Sequence, residues 1–144
     1  MAGAFITITP SGHESALELL QQLYDKTGDI SPALADIGEA LLESHKARWK
    51  AEQSPDGTPW LPLSPETIED KGHDLILREH DYLRDMLNYK VDPLALYFGT
   101  PLEYGAAHQF GRPEINLPER PYLGLSEADQ QSVLEILEGY LTAD

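Results

Sequence analysis

A stretch in the C-terminal half of the chain, Gly99 to Ser126 (GTPLEYGAAHQFGRPEINLPERPYLGLS), limits what this sequence can fold into more than any other. It holds four of the 11 glycines and four of the 11 prolines. Glycine reaches backbone angles closed to other residues, and proline fixes φ and removes a donor. Both therefore collect where a chain turns tightly or leaves regular structure. Between them stand Tyr104, His108, Phe110, Tyr122 and Leu123, side chains large enough to demand burial. A disordered linker lacks such anchors. The segment reads as an irregular but ordered strap held down by aromatic residues, with scaffold before it and one closing helix after it.

The scaffold follows from periodicity. Residues 4–8, AFITI, alternate and are rich in β-branched side chains, which predicts a strand ended by Thr9-Pro10-Ser11-Gly12. A helix is expected over about 14–25, with Leu17, Leu20 and Tyr24 at helical spacing, Leu19 and Leu23 beside them, and a stop at Thr27-Gly28. Ser31-Pro32 opens a second helix, as N-cap and first helical residue. Its stripe of Leu34, Ile37, Leu41 and Leu42 continues through His45 to Trp49, opposite Asp36, Glu39, Glu43, Lys46 and Lys50; at up to 20 residues it is the longest element. Residues 53–59, QSPDGTP, form a loop.

Ser64-Pro65 opens a short helix over 65–71 that stops at Gly72, and a further short helix is expected over 75–87, broken near His80. NYKVDPLALYFGT predicts a β-hairpin with Tyr89 and Val91 on one arm, a turn at Asp92-Pro93, and Leu94 to Phe98 on the other arm. Ser126-Glu127-Ala128-Asp129 is a capping box. The helix it opens buries Val133, Leu134, Leu137, Tyr140 and Leu141. The order strand, helix, helix, hairpin, helix gives an α+β fold with a small, mainly antiparallel sheet and helices packed on it. The 144 residues suit a single domain spanning 1–144.

Charge narrows the function classes. Ten basic against 25 acidic residues leave a net charge of −15, and the first 45 residues carry a single cation, Lys26. A surface that grips a phosphate backbone needs a basic face, so nucleic-acid binding is disfavoured. The longest apolar run is Leu94 to Phe98, far short of the ~20 residues a membrane span needs. The start, MAGAFITITPSG, has no basic opening and too short an apolar core for a signal peptide. There are no cysteines, hence no disulfides and no thiolate chemistry. A cytosolic protein is expected.

Several blocks then match a family pattern. They are Trp60-x-Pro62-Leu63-Ser64-Pro65-x-Thr67 with Lys71, then Gly99-Thr100, then Tyr104-x-x-x-His108-Gln109-Phe110-Gly111. Last comes Pro118-x-Arg120-Pro121-Tyr122-Leu123-Gly124-Leu125-Ser126 with Asp129. In this combination and order the chain resembles the phage virion morphogenesis family, the tail-completion proteins of tailed phages and Mu-like prophages. The likeness runs from about Trp49 to the C-terminus. Where members often carry Thr-Gly or Ser-Gly before a leucine, this chain has His80-Asp81 before Tyr82-Leu83.

The resemblance implies a non-enzymatic structural protein of a tailed phage or prophage, acting in tail completion and head–tail joining. It implies phage tail and head or neck proteins as partners, and no cofactor. It places the protein in the bacterial host cytoplasm during assembly and then in the virion. Related tail-terminator and neck proteins form closed rings, commonly hexamers, on a small α+β subunit, so a homo-hexamer is expected. Trp60, Pro62, Leu63, Ser64, Gly99, Thr100, Tyr104, His108, Gln109, Phe110, Gly111, Arg120, Pro121, Tyr122, Leu123 and Gly124 carry over as structural or interface motif residues.

The residues support physical readings beside the family one. Arg120 lies between Pro118 and Pro121, where an extended backbone makes no ladder of its own. Its five donors can serve stray backbone carbonyls or a carboxylate, or else a subunit contact. His108 is expected half-buried and satisfied under the strap. Tyr104, Phe110 and Tyr122 are core or subunit-interface anchors rather than a ligand cage. The enzymatic alternative is a metal-dependent hydrolase built on His73-Asp74 and His80-Asp81, with His73, His80 and Asp81 as the working set. The seven-residue spacing could place both histidines on one helix face, but two histidines are a weak match to a complete site, and a solvated helix face is the better reading. No Gly-rich phosphate loop, G-x-S-x-G elbow or H-E-x-x-H motif occurs.

Overall fold

A three-stranded antiparallel sheet and three long helices frame the protein in its computed structural model, which describes residues 4–8, 14–72, 76–77, 82–102, 105–115 and 117–143. Strand β1 (Ala4–Ile8) pairs with β3 (Ala95–Thr100), and β3 pairs with β2 (Asn88–Asp92), giving the order β1-β3-β2. The α+β expectation therefore holds. The hairpin register sets Asp92 opposite Ala95, so the two turn residues are Pro93 and Leu94. That shifts the expected turn by one residue and leaves Leu94 at the tip, 61% exposed, rather than in the arm. A proline at the tip withholds no donor from the ladder.

Helix α1 (Glu14–Thr27) stops where Gly28 takes a φ of +73°. Its buried pair is Leu20 and Leu23; Leu17 and Tyr24, expected on the buried stripe, are 39% and 48% exposed. Both lie on the same flank of the helix, beyond Leu20, while Leu19 on the other flank packs on the core. Helix α2 (Ser31–Ala51) is the longest element, as expected. Ser31 is not its cap, however. Ile30 occupies the cap position without a side-chain bond, Pro32 sits in the first turn, and the Asp29 carboxylate accepts the Ser31 N–H at 2.9 Å. The anion near the helix start does the work expected of the hydroxyl.

Helix α2 packs on β2 and β3 with one face and on α6 (Glu127–Thr142) with another, while α6 also packs on α1. Ala33, Leu34, Ile37, Leu41 and Trp49 from α2 meet Leu96 and Phe98 from β3 and Val133 and Leu137 from α6 in one continuous core. Gly38 marks the closest approach of α2 to the sheet: a methyl group there would lie 2.6 Å from the Tyr89 ring. The short helices α3 (Pro65–Lys71), α4 (Tyr82–Asp85) and α5 (Gly105–Phe110) decorate this frame. Ser64 caps α3 by accepting the Thr67 N–H at 3.2 Å, and Gly72 closes it, both as expected. The helix expected over 75–87 is described only in part, as the single turn of α4 with Ile76 and Leu77 before it. No helix among the described residues is long and apolar enough to cross a membrane.

Candidate functional site

The strap leaves β3 at Thr100, forms α5 and a 3-10 turn (Pro113–Ile115), and then runs extended from Leu117 to the start of α6. An extended run with no neighbouring strand has backbone groups to satisfy. Side chains from the rest of the chain do so one after another. Gln109, at the end of α5, receives the Tyr122 and Leu123 N–H groups on Oε1, each at 2.9 Å, and donates from Nε2 to the Leu123 carbonyl at 3.1 Å. Trp60 donates Nε1–H to the Pro121 carbonyl at 2.7 Å. Arg48 donates to the Tyr122 carbonyl at 2.7 Å, and the Gly124 N–H reaches His45 Nε2 at 3.3 Å.

Arg120 takes the structural option. Its side chain is turned inward, 5% exposed, and donates from Nε to the Leu61 carbonyl at 2.8 Å and from Nη2 to the Pro62 carbonyl at 3.2 Å. Those carbonyls belong to the proline-rich run before α3, which also lacks a ladder. One guanidinium thus ties two irregular segments together, using the fork geometry a lysine lacks. Its own N–H bonds the carbonyl of His108, which is half-buried. Gly111 takes a φ of +76°, and a Cβ there would sit 2.8 Å from the Glu119 nitrogen. The sharp reversal into Arg112, which bridges to Leu117, leaves room for no side chain.

Beneath the strap lies an aromatic platform. Tyr122 is fully buried and donates its hydroxyl to the Gly105 carbonyl at 2.8 Å. Its ring lies 5.6 Å from Trp49, which meets Trp60 edge-on at the same separation. Leu63 and Leu123 pack on the same core, and Thr100 is fully buried, its hydroxyl accepting the Leu102 N–H. Gly99 is buried inside β3, between Phe5 and Asn88 in the register. Of the two expectations for Phe110, core or subunit-interface anchor, the core one fails: at the end of α5 it is 71% exposed. Tyr104 lies outside the described residues.

The sequence reading missed a buried polar cluster beside the platform. Arg48 and Asp129 form an ion pair, both nearly inaccessible, and the same Asp129 oxygen accepts the Ser126 N–H at 3.0 Å in the expected capping box. Burial alone would raise the Asp129 carboxyl. Hydrogen bonds from Ser44 and Ser126, with the charges of Arg48 and His45, outweigh it and hold the group below its usual value. His45 is fully buried, with Nδ1–H on the Leu41 carbonyl at 2.7 Å and Nε2 free to accept from Gly124, which fixes the tautomer. Burial, then the Arg48 charge, push its pKa down to about 4. The signal was present in the sequence: Leu41, His45 and Arg48 follow helical spacing on the buried face of α2.

This arrangement spends its donors and acceptors on fixing a backbone surface. Among the described residues no group of His, Asp and Glu could hold a metal ion. His73, His80 and Asp81, the set behind the hydrolase alternative, lie outside the described residues. Tail completion protein S of Escherichia phage P2 is 27% identical to this chain over 121 residues, which cover 74% of the chain and 81% of that protein. No solved structure matches. The likeness read in the sequence from about Trp49 onward extends through both α1 and α2: the chain belongs to the phage virion morphogenesis family, whose sequence model matches residues 13–142.

Proposed function

We propose that this protein is a non-enzymatic assembly protein of a tailed phage or prophage. It acts in tail completion and head–tail joining, as one 1–144 domain that closes into a homo-oligomeric ring of six. Family membership and the tail-completion relative support the assembly role. The observation that carries it at the level of residues is the strap itself. Gln109, Arg120, Trp60 and Arg48 fix its backbone by side-chain bonds, and Phe110 projects from it into solvent. A rigid surface with a prominent aromatic residue suits protein contact, where buried aromatic anchors carry much of the binding energy. The motif residues are then of two kinds: Trp60, Gln109, Arg120 and Tyr122 build the surface, and Phe110 uses it. Its partners are further copies of itself and phage tail, head and neck proteins, met in the host cytoplasm and retained in the virion.

The test is genetic and physical. Removing the gene from the phage that encodes it should leave heads and tails unjoined, and the intact gene in trans should restore joined particles. Light scattering on the assembled form should give six 16.0 kDa chains, about 96 kDa. Normal infectious particles without the protein would end the assembly reading. A stable species of another size on the particle would end the six-fold ring.

A further inference from the structure

Between the C-terminal turns of α2 and the strap lies a groove of about 1080 Å³. One wall is Ala47 and Ala51 with the 53–61 loop, and the other is the run from Pro121 to Leu125 with the first turn of α6. Trp60, Leu61, Pro121, Leu123 and Leu125 give it an apolar lining. Three exposed carboxylates, Asp56, Glu119 and Glu127, stand along it. Its single cation, Arg48, is neutralised by Asp129 within the chain. Among the described residues no ion pair holds Asp56, Glu119 or Glu127, so the groove presents negative charge around apolar surface.

We propose that this groove docks a segment of another protein in which lysine or arginine alternates with apolar residues. Charge complementarity selects such a segment: its cations meet Asp56, Glu119 and Glu127 while its apolar side chains cover the lining. Nucleic acid is repelled by the same carboxylates. A second copy of this chain does not offer the segment. Its only closely spaced cations, Lys46, Arg48 and Lys50, belong to α2, with Arg48 buried, and elsewhere successive cations are at least six residues apart. The groove is thus a surface for a different protein, distinct from self-association. This rests on the assembly reading only for the partner's setting.

Fluorescence anisotropy at physiological salt tests it, with the whole protein titrated into a labelled peptide of alternating lysine and valine. Peptides of alternating lysine and serine, and of glutamate and valine, serve as controls. The lysine–valine peptide should bind, and Asp56→Asn/Glu119→Gln/Glu127→Gln should weaken it by about tenfold. Glu18→Gln/Glu135→Gln/Glu138→Gln, an equal change of net charge on exposed helix faces, should leave the affinity within about twofold. All six replacements are exposed and isosteric, so the fold is kept, which circular dichroism checks. Equal weakening by both triple variants, equal binding of the lysine–serine peptide, or no binding of the lysine–valine peptide would each overturn the proposal. The titration needs no particle, so a failed titration leaves the assembly role standing, and particles that assemble without the protein leave the groove standing.

Discussion

Gln109 pairs with the backbone of Leu123 as a neighbouring strand would: Nε2 donates to its carbonyl at 3.1 Å, and Oε1 accepts its N–H at 2.9 Å. The same oxygen also takes the Tyr122 N–H. A single amide therefore replaces a missing β partner for two consecutive residues of the strap. Gln109→Ala removes the bonds it makes to three backbone groups of the buried Tyr122 and Leu123, at ~1–3 kcal/mol for each group that water cannot reach. The expected loss is about 2–4 kcal/mol in urea unfolding. Gln109→Glu keeps the acceptor for both N–H groups but turns an oxygen on the Leu123 carbonyl where Nε2 donated, so it should also destabilise. A loss below about 0.5 kcal/mol in Gln109→Ala would show that water replaces the amide.

Gly38 decides between two opposed effects. In an exposed helix interior, Gly→Ala gains about 1 kcal/mol of helix propensity. At Gly38 the new methyl would fall 2.6 Å from the root of the Tyr89 ring, and overpacking of this kind costs roughly 1–3 kcal/mol. The ring has little freedom to move away, because the contact includes Cγ, the atom next to its attachment to the β2 backbone, at 2.7 Å. Gly38→Ala should therefore destabilise, by on the order of 1 kcal/mol net. In a Tyr89→Ala background the clash is gone and the same substitution should become stabilising. Additive effects in the double-mutant cycle would sink the account.

Phe110 stands 71% exposed at the end of α5, and within one chain it contributes little burial. Phe110→Ser should leave the melting temperature of the isolated chain nearly unchanged, since surface replacements usually lie within about 0.5 kcal/mol. It should nevertheless impair joining of heads to tails in the complementation assay. A variant that complements fully would remove Phe110 from the contact surface.

Elements were legible where the signal is local. The capping box at Ser126 and Asp129, the cap at Ser64, the glycine stops at Gly28 and Gly72 and the hairpin all depend on residues a few positions apart. What escaped depends on distant partners. Arg48 looks like one more surface cation until Asp129 and the Tyr122 carbonyl arrive from far along the chain. Gln109 in the sequence is a polar residue at the end of a helix, and its role exists only once the strap folds back over it. Leu17 and Tyr24 fit helical spacing, but α6 covers only part of the α1 surface, and that leaves them outside. For the candidate site, the tethering role of Arg120 was one of the options readable from the prolines around it.

His45 gives the chain an acid sensitivity whose sign can be worked out. Folded, it titrates near 4, first because burial disfavours the imidazolium and then because Arg48 lies beside it; unfolded, it takes its proton near 6.5. Between those values the unfolded chain binds more protons, so stability falls as pH falls from 6.5 toward 4, by roughly 3 kcal/mol over the whole window. Protonation also turns Nε2 from an acceptor into a donor facing the Gly124 N–H, which breaks the strap's attachment there. Asp129 adds a separate loss at lower pH: its folded value lies below 3.8, so its contribution is present above 3.8 and disappears as pH drops through the folded value. Acid also relieves the repulsion of a chain at −15, so the test must be a difference between variants. His45→Gln has an amide donor and acceptor but no titration. Urea midpoints from pH 7 to pH 4 should fall more steeply for the parent than for His45→Gln, and parallel curves would show that His45 is not the group responsible.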